Sequence, residues 1–173
     1  VQCVKLVKEL SFKIKYYYSY MESKELTIVI VTYKSEEKIF DCLQSISKDT
    51  PIIVVENSNN QEFKKKIESN YLNVNCVLTG ENKGYSIANN IGLSLVKTQY
   101  GLILNPDTIL HKNAIENFLS SKNIIKDFWL MGPANDQMVN LDFGSSDVME
   151  VENLKGFAIF LNLSKFNGRY FDE

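Results

Sequence analysis

The sequence is poor in the residues that build metal centres and disulfide frameworks, with three cysteines and one histidine among 173 residues. Cys3, Cys42 and Cys76 are widely spaced and form no CxxC or Cys/His pattern. Structural zinc sites and disulfide frameworks need closely spaced ligands or an even set of cysteines. Neither is expected, and the cysteines are interpreted as reduced thiols of a cytoplasmic protein.

Long apolar runs and a bias toward positive charge are also missing. No stretch approaches the roughly 20 apolar residues of a membrane-spanning helix, and none has the layout of a signal peptide. The net charge is −2, whereas a nucleic-acid-binding protein normally shows clustered Lys and Arg. With 45% hydrophobic and 23% charged residues, the chain can bury one sizeable core, which favours a single folded domain without nucleic acid as a partner.

Strands and helices are predicted to alternate from residue 26 onward. Leu26–Thr32 is a continuous β-branched run, typical of a strand buried on both faces of a parallel sheet. Ser35 is predicted to cap the helix that follows it. Further strands are predicted at 52–55, 74–78 and 100–104, and further helices at about 61–68, 86–96 and 113–121. This alternation predicts an α/β fold with right-handed crossovers and a mostly parallel sheet.

The last quarter of the chain is less regular. Strands are predicted at Met149–Val151 and Gly156–Leu161, and a polar loop at 135–140. Trp129 is interpreted as a core residue, because aromatic side chains in such apolar segments usually pack.

Polar residues follow each of the first four predicted strands. In a parallel sheet, ligands bind outside the carboxyl ends of the strands, so these loops should line one site. The segments concerned are Thr32-Tyr33, Glu56-Asn57, Asn82–Gly84 and Asn105–Asp107.

Asn105-Pro106-Asp107 is the sharpest of these signals. Proline fixes one backbone angle and presents the carboxylate of Asp107 in a tight turn at a strand end. Mg²⁺ and Mn²⁺ prefer oxygen ligands and are commonly held by one or two carboxylates together with substrate phosphates. An ordinary turn explains the three residues equally well, so the neighbouring segments must decide.

The segment from Asn82 to Gly92 contains paired asparagines inside a predicted helix. Asn89 and Asn90 are poor helix formers, and residues that oppose local propensity often serve a site. Close packing on the sheet accounts for Ala88 and Gly92 but not for the asparagines. Glu56 is placed to accept hydrogen bonds from a ribose or a base, and a solvated loop acid is the alternative.

Taken in order, these segments resemble family 2 glycosyltransferases of the GT-A fold, particularly the bacterial rhamnosyltransferase-like group. The resemblance runs from Leu26 to Glu173. Val54–Ser58 resembles the V-V-D-N-S motif, with Glu56 in place of Asp, and Asn82–Gly92 resembles N-x-G-F-A-x-A-N-N-x-G. Leu104–Asp107 is similar to the L-N-P-D variant of the DXD metal motif, and Asn167–Glu173 is similar to the G-x-F-D-E turn.

The resemblance implies inverting transfer from a UDP- or dTDP-sugar to a saccharide or glycolipid acceptor, as in polysaccharide or cell-wall assembly. It assigns Asp107 to an Mg²⁺ or Mn²⁺ ion. The residues it assigns to the nucleotide are Thr32, Tyr33, Glu56, Asn57, Asn82, Gly84, Tyr85, Asn89, Asn90 and Asn105. The residues it assigns to the acceptor side are Gly156, Asp172 and Glu173.

Both ends of the sequence are interpreted as fragment ends, because it begins with Val1 and stops at Glu173 inside a motif. In the resembled family an acidic segment beyond that motif supplies the general base. The catalytic base is therefore expected beyond Glu173, and the domain at 26–173 is predicted to bind donor but to lack the carboxyl-terminal acceptor and base segment. The alternative is a non-catalytic binding or assembly module that retains the fold.

Residues 1–25 alternate apolar and lysine residues and are predicted to form an amphipathic extension outside the domain. Binding at the inner face of a membrane explains the pattern. Packing against its own domain or against a second copy in a homodimer explains it as well and is preferred.

Overall fold

The computed structural model describes residues 25–134, 148 and 150–172. The predicted extension up to residue 24, the polar loop at 135–140, Met149 and Glu173 lie outside the described residues. No helix within the described ranges is both long and apolar enough to cross a membrane.

The described part of the chain alternates strands and helices as far as residue 124. The elements in chain order are β1 (Leu26–Thr32), α1 (Glu36–Gln44), β2 (Ile52–Glu56), α2 (Gln61–Asn70), β3 (Val74–Leu78), α3 (Gly84–Ser94), β4 (Tyr100–Leu104), α4 (Ala114–Ile124), β5 (Leu130–Met131) and β6 (Ala158–Asn162), followed by a 3-10 turn at Leu163–Lys165. The first four strands and the helices between them confirm the predicted α/β alternation to within a few residues.

The strands form one six-stranded sheet in the order β3-β2-β1-β4-β6-β5. The pairs among β1, β2, β3 and β4 are parallel, whereas β6 is antiparallel to both β4 and β5. From β1 the chain moves outward through β2 and β3, and then crosses back to place β4 on the other side of β1. The carboxyl ends of β1 and β4 therefore form the topological switch point of the sheet, where α/β proteins bind ligands.

The two faces of the sheet bury separate apolar layers. Ile28 and Ile30 point into the layer covered by α1, α2 and α4. Val29 points to the opposite layer, which α3 covers. Phe160 of β6 lies in the first layer, with its ring centroid 5.2–5.5 Å from those of Tyr100, Phe118 and Phe128.

Helix α3 lies very close to the sheet at Gly92. A Cβ atom at this position would lie 2.4 Å from Cγ1 of Val29 and 3.0 Å from Cγ2 of Val55. The interpretation that Gly92 permits close packing of the helix is confirmed, because no larger side chain fits without displacing β1 or β2 residues.

Several local predictions were wrong. Ser35 occupies the N-cap position of α1 as predicted, but its side chain makes no capping hydrogen bond, and its hydroxyl lies 3.0 Å from that of Thr32. Glu150 and Val151 belong to no strand. Gly156 lies in a turn, and β6 starts two residues later at Ala158. Trp129 is 57% exposed rather than buried, because it lies beside the two-residue edge strand β5, where it packs edge-on against Phe166.

The two described cysteines are buried, and we expect them to resist alkylation in the native state. Burial raises the pKa of the Cys42 thiol to about 12, and the nearby Asp107 carboxylate acts in the same direction. Burial likewise raises the pKa of the Cys76 thiol to about 11. In a Cys3→Ser background at pH 8, iodoacetamide should label neither thiol until the protein is unfolded.

Because of the same two thiols, the free energy of unfolding should depend on pH in the alkaline range. An unfolded chain loses its thiol protons near pH 8.5, while the folded chain keeps them, so the free energy of unfolding should fall as the pH rises above about 9. Urea unfolding between pH 8 and 10.5 should show a shallower decline in Cys42→Ala/Cys76→Ala. An equal slope in the two proteins would contradict the assignment of this pH dependence to the buried thiols.

Candidate functional site

The loops after β1, β2, β3 and β4 lie at one edge of the sheet, as the sequence predicts. Thr32 pairs with Glu56, and Glu56 with Leu78, so β1, β2 and β3 end level with one another. Leu104 pairs with Ile30, which brings the turn after β4 beside the end of β1. The candidate residues therefore surround the switch point of the sheet.

The turn after β4 presents Asp107 to solvent. The Thr108 amide donates to the Asn105 carbonyl at 3.1 Å, which closes the turn around Pro106. The Asn105 amide and the Thr108 hydroxyl both donate to the Phe157 carbonyl, at 2.9 and 3.3 Å. The turn is thus held from the β6 side, while Asp107 is exposed and has no hydrogen bond or ion pair with any described residue.

The turn after β1 contains strained backbone. Lys34 has φ of 52°, the left-handed region that glycine favours, and such a conformation costs on the order of 1–3 kcal/mol. Its ammonium lies 5.2 Å from the centre of the Tyr33 ring. Tyr33 is 41% exposed, whereas Thr32 is buried and its carbonyl accepts from the Asn57 amide at 2.8 Å.

Asn57 organises the loop that leads into α3. Its side chain is buried, with Nδ2 donating to Oδ1 of Asn82 at 3.0 Å and to the Gly84 carbonyl at 3.3 Å. Its Oδ1 accepts from the Lys83 amide at 3.0 Å and from the Thr79 hydroxyl at 3.2 Å. Asn57 therefore shapes the loop at 79–84, and its side chain has little hydrogen-bonding capacity left for a ligand.

Glu56 is 1% exposed and is not a solvated loop acid. One carboxylate oxygen accepts from the Ser58 hydroxyl at 2.7 Å, and the other from the Asn60 amide at 3.0 Å. The carboxylate thus fixes the loop before α2. A contact with a ribose or a base would have to share these oxygens.

The start of α3 requires glycine, because Gly84 has φ of 79°. Its amide donates to Oδ1 of Asn82 at 3.0 Å. Further along the helix, Asn89 is fully buried and donates from Nδ2 to the Tyr85 carbonyl at 2.9 Å. Oδ1 of Asn89 has no hydrogen-bond partner among the described residues, and an unpaired buried acceptor costs about 1–3 kcal/mol.

Two other residues of α3 contact the segments that the resemblance assigns to the acceptor side. The Tyr85 hydroxyl donates to the Gly156 carbonyl at 3.3 Å, and the Asn90 amide group bonds the backbone of Tyr170 and Phe171. Asp172 follows directly, exposed, with its carboxylate 3.7 Å from the Arg169 guanidinium. Sequence reasoning missed this link, since no local pattern predicts a side chain bonding backbone 80 residues away.

Asp107 is the residue of the candidate site that could contribute a ligand to a divalent cation. Within the described ranges, no group of three or more His, Cys, Asp or Glu residues could hold a metal ion alone. Asp107 offers a free carboxylate, and Mg²⁺ is usually bound through one or two carboxylates with waters and substrate phosphates. A cation at Asp107 would thus take its remaining ligands from a diphosphate and water.

A family model described as Glycosyl transferase family 2 matches residues 27–131, which include β1 to β5 and the candidate loops after β1 to β4. The chain belongs to glycosyl transferase family 2. The match ends before Gly156 and Asp172, so the family 2 assignment rests on residues 27–131.

Curated and solved relatives of this family 2 domain are longer than the chain. The low-salt glycan biosynthesis hexosyltransferase Agl10 of Haloferax volcanii is 35% identical over 95 residues, covering 53% of this chain and 30% of that protein. The mannosyltransferase PcManGT from Pyrobaculum calidifontis, solved with GDP-Man and Mn²⁺, has a TM-score of 0.70 at 14% identity and covers 83% of this chain. TarS 1-349 of S. aureus has a TM-score of 0.60 at 17% identity and covers 80% of this chain.

This chain spans 47% of each of those two structures. Their similarity confirms the GT-A fold of the family 2 domain. At these identities it carries no information about the donor or the acceptor.

Proposed function

We propose that this chain binds the nucleoside diphosphate sugar of a glycosyltransferase that passes a hexosyl or rhamnosyl group, with inversion, to a saccharide or glycolipid acceptor. The observation that carries the proposal is the exposed Asp107 carboxylate, which makes no hydrogen bond or ion pair with the described residues and lies at the switch point of the sheet. A free carboxylate in this position suits a metal-bound diphosphate better than a structural role. Solved GT-A proteins with GDP-Man and Mn²⁺, or with UDP, support the ligand class.

In this proposal Asp107 holds Mg²⁺ or Mn²⁺, which, when bound, neutralises negative charge on the departing nucleoside diphosphate. The amino terminus of α3 starts at the same edge and carries no acidic residue in its first turn. Its helix dipole favours a phosphate group there. Asn57 and Gly84 contribute by fixing the loop from which this helix starts.

The proposed transfer forms a bond between an acceptor hydroxyl oxygen and the anomeric carbon of the sugar. The bond from that carbon to the diphosphate oxygen breaks, and the hydroxyl proton passes to a base. General-base catalysis requires a carboxylate held within hydrogen-bond reach of the hydroxyl. The Asp172 carboxylate is exposed, with Arg169 at 3.7 Å, and we assign it to the acceptor side rather than to the base.

A thermal-shift comparison tests the proposal. UDP-, dTDP- and GDP-sugars are added to the chain with Mn²⁺ or with EDTA. A ligand at 100 times its Kd stabilises the folded state by about 2.7 kcal/mol, which raises Tm by roughly 5–10 °C for a domain of this size. We expect such a shift with Mn²⁺ for at least one donor and a smaller shift with EDTA. No shift for any donor under either condition would favour the alternative of a non-catalytic module.

A further inference from the structure

The Asn90 side chain both accepts from backbone amides and donates to a backbone carbonyl, as a paired β-strand does. Its Oδ1 accepts from the Phe171 amide at 3.0 Å and from the Tyr170 amide at 3.3 Å. Its Nδ2 donates to the Phe171 carbonyl at 3.0 Å. A side-chain amide has two donor hydrogens and two acceptor lone pairs, so these three bonds use most of what Asn90 can offer.

Tyr85 adds two contacts from the same helix. Its hydroxyl donates to the Gly156 carbonyl at 3.3 Å. Its ring meets the Phe171 ring edge-on, with 6.2 Å between the centroids and 78° between the planes. Phe171 is thus held through its backbone by Asn90 and through its ring by Tyr85.

Helix α3 therefore connects two parts of the molecule. The carbonyl of its first residue, Gly84, accepts a hydrogen bond from the side chain of Asn57, which follows β2. Its second residue, Tyr85, contacts residues 156 and 171. Asn90, in its middle, contacts residues 170 and 171, which lead directly to Asp172. The apolar side chains of Phe166, Tyr170 and Phe171 pack on the layer beneath α3, so the contacts belong to a packed surface and not to a loose chain end.

We propose that Asn90 and Tyr85 are positioning residues that hold the acceptor-side segments against α3, and that neither is a nucleotide ligand. The assignment of these segments to an acceptor rests on the proposed function, whereas the contacts with Asn90 and Tyr85 do not. The proposal gives a new role to two residues that the family resemblance assigns to the nucleotide. The two adjacent asparagines therefore have different roles: Asn89 is buried at the sheet, whereas Asn90 contacts the segment at 170–172.

Limited proteolysis tests the proposal directly, because the bond after Arg169 ends at the Tyr170 nitrogen that donates to Asn90. Asn90→Leu removes all three hydrogen bonds at similar size. We expect trypsin to cleave after Arg169 at least about tenfold faster in this variant, because several hydrogen bonds opposing local opening are lost. Asn90→Asp keeps the acceptor oxygen but not the donor, and its cleavage rate should fall between those of wild type and Asn90→Leu.

A matched control is Asn123→Leu, an exposed asparagine of α4 with no side-chain hydrogen bond to the described residues. Trypsin should cleave this control variant after Arg169 at the wild-type rate. Hydrogen exchange gives a second readout, in which the Tyr170 and Phe171 amides exchange faster in Asn90→Leu while the Ile30 amide of the central strand does not. This comparison separates local release from global unfolding.

Nucleotide affinity, measured by calorimetry with UDP and Mn²⁺, completes the test. We expect Asn90→Leu and Tyr85→Phe to bind within about twofold of wild type. A loss of affinity in Asn90→Leu, or unchanged cleavage and exchange at residues 170 and 171, would overturn the proposal. If wild type binds no nucleotide, the proposed function fails, while proteolysis and exchange still decide the role of Asn90.

Discussion

Asp107→Ala should abolish the metal-dependent part of nucleotide affinity. Asp107 lies in the turn after β4, and its carboxylate has no hydrogen bond or ion pair with the described residues. Its removal therefore takes away the proposed metal ligand without breaking a structural contact. Loss of groups that merely orient metal ligands typically costs 10- to 100-fold in metal affinity, and loss of a direct ligand should cost at least about as much. Calorimetry with UDP in Mn²⁺ and in EDTA should give equal affinities for this variant.

The control for this experiment is Asp41→Ala, which removes an exposed carboxylate from α1 that makes no side-chain hydrogen bond or ion pair with the described residues. It should keep the difference between Mn²⁺ and EDTA. Asp107→Asn retains the size of the side chain and should behave as Asp107→Ala does, because the negative charge is what the metal requires. Wild-type metal dependence in either Asp107 variant would show that the cation binds elsewhere.

Gly92→Ala should cost about 1–3 kcal/mol of unfolding free energy, the range typical of overpacked cores. Helix propensity alone predicts the opposite sign, since alanine is favoured over glycine by about 1 kcal/mol inside a helix. The decisive quantity is the 2.4 Å between the added Cβ and Cγ1 of Val29. Urea unfolding of the variant and wild type measures the difference.

Two comparisons isolate the steric cause. Gly156→Ala adds a methyl group where no atom lies within 4 Å, and its stability should stay within about 0.5 kcal/mol of wild type. Val29→Ala removes the methyl group that Gly92→Ala would meet, so the double variant should lose less than the sum of the two single losses. Strict additivity would mean that the helix moves away from the sheet instead of clashing with it.

The sequence predicts the sheet and the position of the site well because both depend on local patterns. The β-branched run at Leu26–Thr32 and the short apolar runs of β2 and β4 are buried strands, and their alternation with helices dictates parallel pairing. Once pairing is parallel, the loops after four strands must meet at one edge. The turn at Asn105–Asp107 could therefore be placed at the same edge of the sheet as Thr32 without coordinates.

The details that escaped prediction depend on which side chains meet in the folded chain, in some cases between near neighbours and in others between distant segments. Ser35 has the sequence of a helix cap, but the nearby Thr32 hydroxyl takes its side chain. Glu56 is predicted to accept hydrogen bonds from a ribose or a base, but its carboxylate already accepts from Ser58 and Asn60. The three hydrogen bonds of Asn90 to the segment at 170–171 follow from how that segment packs on α3, and no periodicity along the chain encodes them.

The antiparallel strand β6 has a consequence for how the chain folds during its synthesis. Strands β1 to β4 are complete once residue 104 has emerged, but the partner of β4 on its other side is residues 158–162. Until then β4, which is wholly apolar and finally buried, presents an open edge of the kind that pairs with other chains. The same late strand carries Phe160, whose ring joins Tyr100, Phe118 and Phe128, so nascent chains halted before residue 158 should be the aggregation-prone species.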